Sequence, residues 1–356
     1  MFNQLAKKKI LLIGPSSLST GGIATWMQTL LKADDRKYDF LLVDSSFGSK
    51  GRPNNKFILF FKEIKRTLKI WSGVKSALRK ENISVVHSSI PSSRNALWRE
   101  MRNAKRARKC GSKFVLHFHC TIDEFLGGEK GMRMLRKISD YVDGFIVLNE
   151  QSAAFLKERL AKPNVVKIPN FIEKKFIIDT KKIREKIEDV LFVSRIQVKK
   201  GIYEYLKLAR YYPSTTFYVV GPIIEKLTSF DVPPNVVFSG SRSRDEIFDY
   251  FDRCDLFVFL THYQEGFPMV VLEAMARGMP MLLSNNNTLK EISEEKGGLL
   301  VDYNNMEAIK NSFEFMNKNI SVRDDMMRFN IAKTRSVYEK EQIVSLLMNF
   351  YSSLLS

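Results

Sequence analysis

The chain has 356 residues, of which 44% are hydrophobic and 27% charged, a composition that excludes a disordered chain and predicts apolar cores. Its length predicts two domains of roughly 170 residues each. The formal net charge is +18, and the whole excess falls in residues 1–169, where 32 Lys and Arg face 14 Asp and Glu, whereas residues 170–356 carry 25 of each. This asymmetry favours an anionic partner for the first half: a membrane surface, a phosphorylated substrate or a nucleic acid.

The cysteines and the apolar segments indicate a protein of the reducing cytosol. Cys110, Cys120 and Cys254 form no CxxC pair, which argues against a disulfide framework and against a structural zinc site. The apolar run near the basic N-terminus ends at Gly14-Pro15 after four residues, which is too short for a signal peptide. No window approaches 18 apolar residues, so we expect no membrane-spanning helix.

Residues 1–169 alternate short apolar runs with segments of helical periodicity. Residues Lys9–Gly14 predict a buried parallel strand, and a Gly-containing loop then leads into a helix over Ile23–Leu31. Further strands are predicted at Phe40–Val43, Ser84–His87, Lys113–His117, Gly144–Leu148 and Val165–Ile168. This alternation is typical of a parallel sheet covered by helices, so the first half is predicted to be a doubly wound, Rossmann-like α/β domain.

A second domain of the same class is predicted after the turn at Pro169-Asn170-Phe171. Its strands are predicted at Val190–Val193, Thr216–Val220, Val236–Phe238, Leu256–Leu260 and Pro280–Leu283. We therefore assign residues 170–336 to a second Rossmann-like domain. Residues 337–356 are predicted to contain a C-terminal helix, from Val337 to Leu355, that crosses back to the first domain.

The segment after the strand Leu256–Leu260 carries the strongest functional signal. Pro268 suits the first position of a helix, and Gly278 suits its left-handed C-terminal cap. A helix that begins at the carboxyl end of a parallel strand offers free N–H groups and a dipole that favour an anion. Glu265 and Glu273 are poor neighbours for a phosphate, so we expect them to accept hydrogen bonds from hydroxyl groups such as those of sugars. An ordinary amphipathic helix with a capping Glu is the alternative.

Two further loops could hold a phosphate. Arg195 and Lys200-Gly201 directly follow a predicted strand, where Arg and Lys can clamp a diphosphate; a solvated basic loop is the alternative. Gly21 and Gly22 follow the first strand and let the backbone approach a ligand closely, although paired glycines often mark only a turn. Their spacing is not G-x-G-x-x-G, which weighs against a nicotinamide enzyme.

Among the four histidines, His119 is the candidate for chemistry. It lies just beyond the strand Lys113–His117, in a loop predicted to face the interdomain cleft, whereas His87, His117 and His262 are interpreted as structural. We expect His117 and His119 to lie on opposite faces of a strand, and no DxD or HExxH motif accompanies them. We therefore predict no metal site.

In their order along the chain these residues resemble those of glycosyltransferase family 4, whose members are retaining enzymes of the GT-B fold. The resemblance rests on Glu265-Gly-Phe-Pro-Met-Val-Val-Leu-Glu273-Ala-Met-Ala-Arg-Gly278-Met-Pro280, an E-x7-E motif, and on the Arg195-x4-Lys200-Gly201 loop. Gly21-Gly22, His119 and Gly240 stand in the matching order. The similarity spans most of the chain and implies two Rossmann-like domains facing an interdomain cleft. Ser194 departs from the usual Gly before Arg195, and residues 88–93 lack a clear acceptor signature.

The resemblance implies a role for each matching position. The positions of Arg195 and Lys200 hold the diphosphate of a UDP- or GDP-sugar donor, and that of Glu273 binds ribose hydroxyls. Glu265 would contact the donor sugar, and His119 would lie near the transferred sugar; these two residues with Arg195 and Lys200 form the implied catalytic set. The other implied donor-binding residues are Gly21, Gly22, Gly240, Gly266, Phe267 and Pro268. Cations rather than a divalent metal would help the diphosphate to leave, so no cofactor is implied.

The charge excess falls on the domain that carries the acceptor in this fold. The segments Lys56–Lys80 and Arg94–Lys113 are predicted to be basic amphipathic helices, which bind anionic membrane surfaces; a helix packed on the sheet with a solvated basic face is the alternative. We expect a polyprenyl-linked or other lipid-linked glycan acceptor, as in assembly of bacterial O-antigen, capsule or exopolysaccharide. The predicted location is cytoplasmic, peripheral at the inner face of the cytoplasmic membrane.

Other functions fit parts of the sequence. A nucleotide-sugar epimerase or a phosphorylase can share the GT-B architecture, although no lysine aldimine signal is distinctive here. A non-enzymatic protein that binds nucleic acid or a membrane would account for the basic half, but it leaves Glu265 and Glu273 unexplained, and no nucleic-acid recognition module has its signature in the chain. We therefore expect no nucleic-acid partner.

Overall fold

Residues 7–16, 22–33, 35, 37–47, 56–161, 163–225 and 231–356 are described by the structure, a computed structural model. Contacts between Cα atoms divide the chain into two compact units. Residues 1–169 and 344–356 belong to the first unit, and residues 170–343 belong to the second.

The first unit contains a parallel sheet of six strands in the order β2-β1-β3-β4-β5-β6. Its elements in chain order are β1 (Lys8–Gly14), α1 (Gly22–Leu31), β2 (Tyr38–Asp44), α2 (Lys56–Lys80), β3 (Ile83–Ile90), α3 (Arg94–Lys109), β4 (Lys113–Phe118), α4 (Asp123–Leu126), α5 (Glu129–Ser139), β5 (Gly144–Val147), α6 (Glu150–Arg159) and β6 (Val165–Lys167). Because β2 lies on one side of β1 and β3 on the other, the topological switch point of this sheet lies between β1 and β3.

The core of the first unit forms because its strands are almost continuously apolar. Residues 10–13 of β1 are at most 1% exposed, as expected for a parallel strand covered on both faces. The second half of α2 packs on this core through Ile70 and Val74, which are fully buried. The chain's last helix also contributes: Phe350 lies so close to Gly144 that a Cβ there would come within 2.5 Å of its ring.

The second unit repeats the architecture with the strand order β12-β11-β10-β7-β8-β9, and all of these strands are parallel. Its elements are β7 (Asp189–Val193), α7 (Ile202–Tyr211), β8 (Thr216–Val220), β9 (Val236–Gly240), α8 (Arg244–Arg253), β10 (Leu256–Phe259), α9 (Met269–Ala276), β11 (Met281–Ser284), α10 (Asn287–Ser293), β12 (Gly298–Val301), α11 (Met306–Lys318) and α12 (Ile320–Lys333), and α13 (Lys340–Leu355) follows. The chain proceeds outward from β7 in one direction and from β10 in the other, so the switch point lies between β7 and β10.

Several predicted boundaries are wrong in detail. The basic helix predicted from Arg94 to Lys113 ends at Lys109, because Lys113 is already the first residue of β4. The helix predicted from Val337 begins at Lys340, because Thr334–Tyr338 form a π turn and Glu339 is extended. Strand β12 was not predicted, since its four residues include a glycine and form only a short apolar run.

Candidate functional site

The two motifs predicted to bind the donor meet at the switch point of the second sheet. The loop after β7 carries Lys200, and the loop after β10 carries Glu265, and their side chains form an ion pair with 2.5 Å between Nζ and Oε1. The backbone N–H of His262 also donates to the carbonyl of Lys199 at 2.9 Å, which holds the loops side by side. Ligands of open α/β sheets bind at this position, beyond the carboxyl ends of the strands.

Glu265 is held firmly in this pair. Thr261 Oγ1 donates to the same Oε1 at 2.8 Å, and Thr288 Oγ1 donates to the Glu265 carbonyl at 2.7 Å. The Lys200 ammonium lies 5.1 Å from the centre of the Tyr263 ring. Since Oε1 takes both side-chain bonds, Oε2 accepts none from the described residues, and a ligand hydroxyl can donate to it.

The sharp turn before α7 requires the glycine of the Lys200-Gly201 pair. Gly201 has φ of +83°, and a Cβ at this position would lie 2.2 Å from the carbonyl oxygen of Leu260. Any side chain would therefore push the Lys200 loop away from β10.

The backbone from Gly266 to Pro268 joins this pair to helix α9. Asn170 Nδ2 donates to the Phe267 carbonyl at 2.7 Å, and the Phe267 ring is buried edge-on against Tyr338 with centroids 5.4 Å apart. Pro268 is extended and precedes the first helical residue, so it is the N-cap rather than the first position predicted. Gly278 has φ of +61°, the left-handed conformation expected of it.

Glu273 is paired with an arginine that sequence reasoning missed. Arg244 Nε lies 3.2 Å from Glu273 Oε1, and its Nη1 lies 3.5 Å from Glu173 Oε1. The Arg244 guanidinium also stacks 4.5 Å from the centre of the Phe176 ring. Burial raises the pKa of Glu273, and Arg244 opposes that rise. The capping box Ser243-x-x-Glu246 marks the start of α8, but no local pattern points from Arg244 to a carboxylate 29 residues away.

Arg195 and Gly240 lie at the carboxyl ends of β7 and β9. Arg195 is exposed and makes no side-chain hydrogen bond or ion pair with the part of the chain that the structure describes. Gly240 has φ of +69°, and nothing lies within 4 Å of a Cβ built there. The left-handed backbone, rather than crowding, therefore favours glycine at position 240.

The predicted site residues of the first unit follow β1 and β4. Gly21 lies outside the described residues, and Gly22 is the first residue of α1. His119 follows β4, is half-buried, and donates its backbone N–H to the Ile90 carbonyl at 3.0 Å. Burial, aided by His87, lowers the pKa of His119 to about 3, so its ring is neutral at neutral pH.

The three histidines of the first unit form one cluster. The prediction that His117 and His119 lie on opposite faces is wrong, because side chains two residues apart in a strand share a face, and their ring centroids are 4.0 Å apart. His87 Nε2 lies 3.2 Å from His117 Nδ1, and His87 Nδ1 lies 2.5 Å from the hydroxyl of Tyr351 in the last helix. Burial lowers the pKa of His87 to about 3 and that of His117 well below its usual value.

Within residues 7–16, 22–33, 35, 37–47, 56–161, 163–225 and 231–356, no group of three or more His, Cys, Asp and Glu side chains could hold a metal ion. Over the same ranges, no helix has the length and apolar character needed to span a bilayer.

Two parallel six-stranded sheets and the motif pair at the second switch point define a protein of the GT-B glycosyltransferase fold. Family models agree: "Glycosyltransferase Family 4" matches residues 20–176, and "Glycosyl transferases group 1" matches residues 173–331. Together the two models span residues 20–331 and both describe glycosyltransferases, so the chain is a glycosyltransferase family member of this fold.

Curated relatives match part of the chain. The chain is 28% identical over 209 residues to the N,N'-diacetylbacillosaminyl-diphospho-undecaprenol alpha-1,3-N-acetylgalactosaminyltransferase of Campylobacter jejuni. The matched region covers 53% of this chain and 54% of that protein. The chain is 25% identical over 182 residues to the alpha-galactosylglucosyldiacylglycerol synthase of Streptococcus pneumoniae, covering 46% and 45%. The chain thus spans about half the length of the curated relatives it matches.

Solved structures match nearly the whole chain. Sucrose-phosphate synthase from Thermosynechococcus elongatus has a TM-score of 0.76 at 17% identity, over 98% of this chain and 99% of that one. Anabaena HepE in complex with UDP has a TM-score of 0.75 at 14% identity, over 97% and 100%. At such identities the similarity shows the fold.

Proposed function

We propose that this protein transfers a sugar, with retention of anomeric configuration, from a UDP- or GDP-sugar to a lipid-linked glycan acceptor in the synthesis of a bacterial surface polysaccharide. The observation that carries the proposal is the Lys200–Glu265 pair at the switch point between β7 and β10. A cation and a carboxylate fixed side by side suit the two ends of a sugar diphosphate, which presents anionic oxygens on one side and hydroxyl donors on the other.

Each half of the pair has a distinct task in this proposal. Lys200, with the exposed Arg195, stabilises the negative charge that develops on the departing diphosphate, so no divalent metal is needed for that step. Glu265 accepts a hydrogen bond from a sugar hydroxyl through Oε2, and Glu273 accepts hydrogen bonds from the ribose. The neutral ring of His119 suits a contact with an uncharged sugar, because it adds no cation to the acceptor side.

The acceptor side is proposed from the charge and from the relatives. Helix α2 carries eight Lys and Arg and one Glu, which favours an anionic lipid surface and an anionic carrier such as a polyprenyl diphosphate. The names of the relatives from C. jejuni and S. pneumoniae specify an undecaprenol-linked and a diacylglycerol-linked compound. We therefore propose that the protein works peripherally at the inner face of the cytoplasmic membrane.

Calorimetric titration with a panel of UDP- and GDP-sugars tests the donor site. We expect one nucleotide class to bind, and Glu273→Ala to weaken binding about 10- to 100-fold, since each hydrogen bond to a charged group contributes about 1.5–3 kcal/mol. Glu307→Ala, in an exposed ion pair on α11, is the matched control and should bind as the wild type does. If no nucleotide binds, or if both variants lose affinity equally, the donor-site assignment is wrong.

The reaction itself is tested with the donor identified in this way and membrane lipids as acceptor. The proposal predicts a glycolipid product whose new linkage keeps the donor's anomeric configuration, read by NMR, and turnover that persists in EDTA. An inverted linkage would contradict retention of configuration, and loss of turnover in EDTA would contradict independence from a metal. Conversion of the donor sugar to its epimer without transfer would contradict the transferase activity itself.

A further inference from the structure

Helix α2 exposes apolar side chains along its first half. Phe57, Phe60, Phe61 and Leu68 are 81%, 61%, 69% and 56% exposed, and on α3 Trp98 is 58% exposed. Contiguous apolar exposure of this kind marks a binding surface in soluble proteins. The same helix buries Ile70 and Val74 in its second half, so the exposed face is not the one that packs on the sheet.

Part of this face lines a groove between α2 and α3. The groove has a volume of about 760 Å³, and its main apolar lining consists of Phe47, Phe60, Ile64, Leu68, Trp71 and Trp98. This volume falls within the range of about 300–1,000 Å³ typical of small-molecule sites. Phe57 and Phe61 do not line it, although they are more exposed than Phe60.

The floor of the groove is built and fixed. The Trp71 indole N–H donates to the Arg99 carbonyl at 2.9 Å, and Arg106 donates to the Trp71 carbonyl at 2.7 Å. Arg102 lies 4.4 Å from the centre of the Trp71 ring, and the Trp98 ring lies 5.2 Å away. Both sides of Trp71 are therefore anchored to α3, which keeps the two helices apart at a set distance.

The groove begins at the carboxyl edge of the first sheet. Pro91 and Ser93, which follow β3 at the switch point, contribute to its lining. The β3 loop is tied to the loop that carries His119, because Ser92 Oγ donates to the Cys120 carbonyl at 2.9 Å and the His119 N–H donates to Ile90. A molecule whose polar end lies near His119 can therefore extend its other end along the groove.

We propose that this groove binds the hydrocarbon chain of the enzyme's own lipid-linked acceptor. The inference rests on the proposed function for the identity of the acceptor. Its lining matches an unbranched or isoprenoid chain, and its two helices carry fifteen Lys and Arg against two Glu, which complements the anionic phosphate to which such a chain is attached. An acidic protein helix and the acyl chains of bulk phospholipid are the competing occupants.

The tryptophans make binding directly measurable. The chain has three, of which Trp71 and Trp98 line the groove and Trp26 is 1% exposed in the core. The probe is 11-bromoundecyl phosphate, whose terminal bromine quenches indole fluorescence on contact, used below its micelle concentration. We expect saturable quenching at one probe per chain, and no quenching in the Trp71→Phe/Trp98→Phe variant, which retains Trp26.

Matched variants separate the groove from the rest of the helix. Leu68→Gln should lower the affinity for the probe about tenfold, because it removes apolar contact area. Phe61 is more exposed and lies outside the groove, so Phe61→Gln should leave the affinity unchanged. Both positions are exposed, so neither substitution should unfold the protein, and circular dichroism of each variant is the control for this. Quenching that never saturates, or that Phe61→Gln reduces as much as Leu68→Gln, would assign the face to bulk lipid and overturn the proposal.

Turnover distinguishes this inference from the proposed function. With a lipid-linked acceptor, Leu68→Gln should raise the acceptor KM and leave donor affinity and kcat unchanged, whereas a water-soluble acceptor without its chain should be used equally by Leu68→Gln and wild type. If the probe binds but no sugar is transferred to any lipid, the proposed function fails while the groove remains a chain-binding site. If transfer to lipid proceeds and Leu68→Gln behaves as wild type with every acceptor, the groove proposal fails alone.

Discussion

Replacing Arg244 by Gln should lower the free energy of unfolding, because Arg244 is the cation paired with the buried carboxylate of Glu273. Arg244 is the side chain that neutralises Glu273, at 3.2 Å, and Glu273 is only 14% exposed. Removing one partner of a fully buried ion pair costs about 3–5 kcal/mol. Because about a third of Arg244 is exposed and screened by solvent, we expect a smaller cost here, about 1–2 kcal/mol at pH 7.5.

The effect should depend on pH with a defined sign. Burial raises the pKa of Glu273, so between its unfolded-state and folded-state pKa values the folded protein binds more protons, and the free energy of unfolding falls as pH rises. Removing Arg244 raises that pKa further. The destabilisation by Arg244→Gln should therefore be larger at pH 7.5 than at pH 5, where more of Glu273 is protonated and needs no cation.

Urea unfolding followed by circular dichroism at both pH values measures this effect. All three tryptophans lie in the first unit, so their fluorescence transition reports the other half of the chain and should not shift. Arg242→Gln, which removes an exposed pair with Glu246, is the matched control and should cost less than about 0.5 kcal/mol. The reasoning is refuted if Arg244→Gln lowers the free energy of unfolding equally at both pH values. It is also refuted if the effect of Arg244→Gln still depends on pH in a protein that already carries Glu273→Gln.

Three further outcomes are expected. Lys200→Ala should lower kcat about 10²- to 10³-fold, because it removes a cation from the leaving diphosphate. Lys199 is the exposed residue next to it, so Lys199→Ala should keep most of the activity. Equal losses in the two variants would contradict the assignment. Gly201→Ala should destabilise the protein by more than Gly111→Ala in thermal unfolding, because both have positive φ but only position 201 is crowded, and a similar shift for both would show that the loop relaxes. The ring resonances of His119 should not titrate between pH 5.5 and 8.5 by NMR, and a transition near pH 6.5 would show that the His87 cluster does not bury it.

Local patterns in the sequence predicted the parts of the molecule that depend on short stretches of chain. The apolar run at β1 and the motif around α9 identify a parallel strand and a helix start because burial on both faces and helix capping act on neighbouring residues. The resemblance assigned Lys200 and Glu265 to the same donor, and in the structure the two side chains form a pair because the carboxyl ends of parallel strands share one edge.

Features that depend on distant residues were missed for a physical reason. Arg244 reaches Glu273 from another helix, and the contact between His87 and His117 joins two strands at positions 30 residues apart. The groove likewise requires the spacing of α2 and α3, which Trp71 sets through bonds to residues 28 and 35 positions away. The apolar pattern of α2 indicated an amphipathic helix, but only the packing separates the residues that bury from those that line a groove.

The placement of charge separates two kinds of electrostatic task. The second unit is close to neutral. Arg195 makes no side-chain ion pair with the described residues, and Lys200, the other proposed ligand of the diphosphate, is held in a pair with Glu265. Binding a donor there exchanges one anionic partner for another, so it requires no charge excess. We therefore propose that the excess on α2 and α3 serves a ligand other than the donor. Because those cations flank an apolar groove, an amphiphile with an anionic head satisfies both features at once.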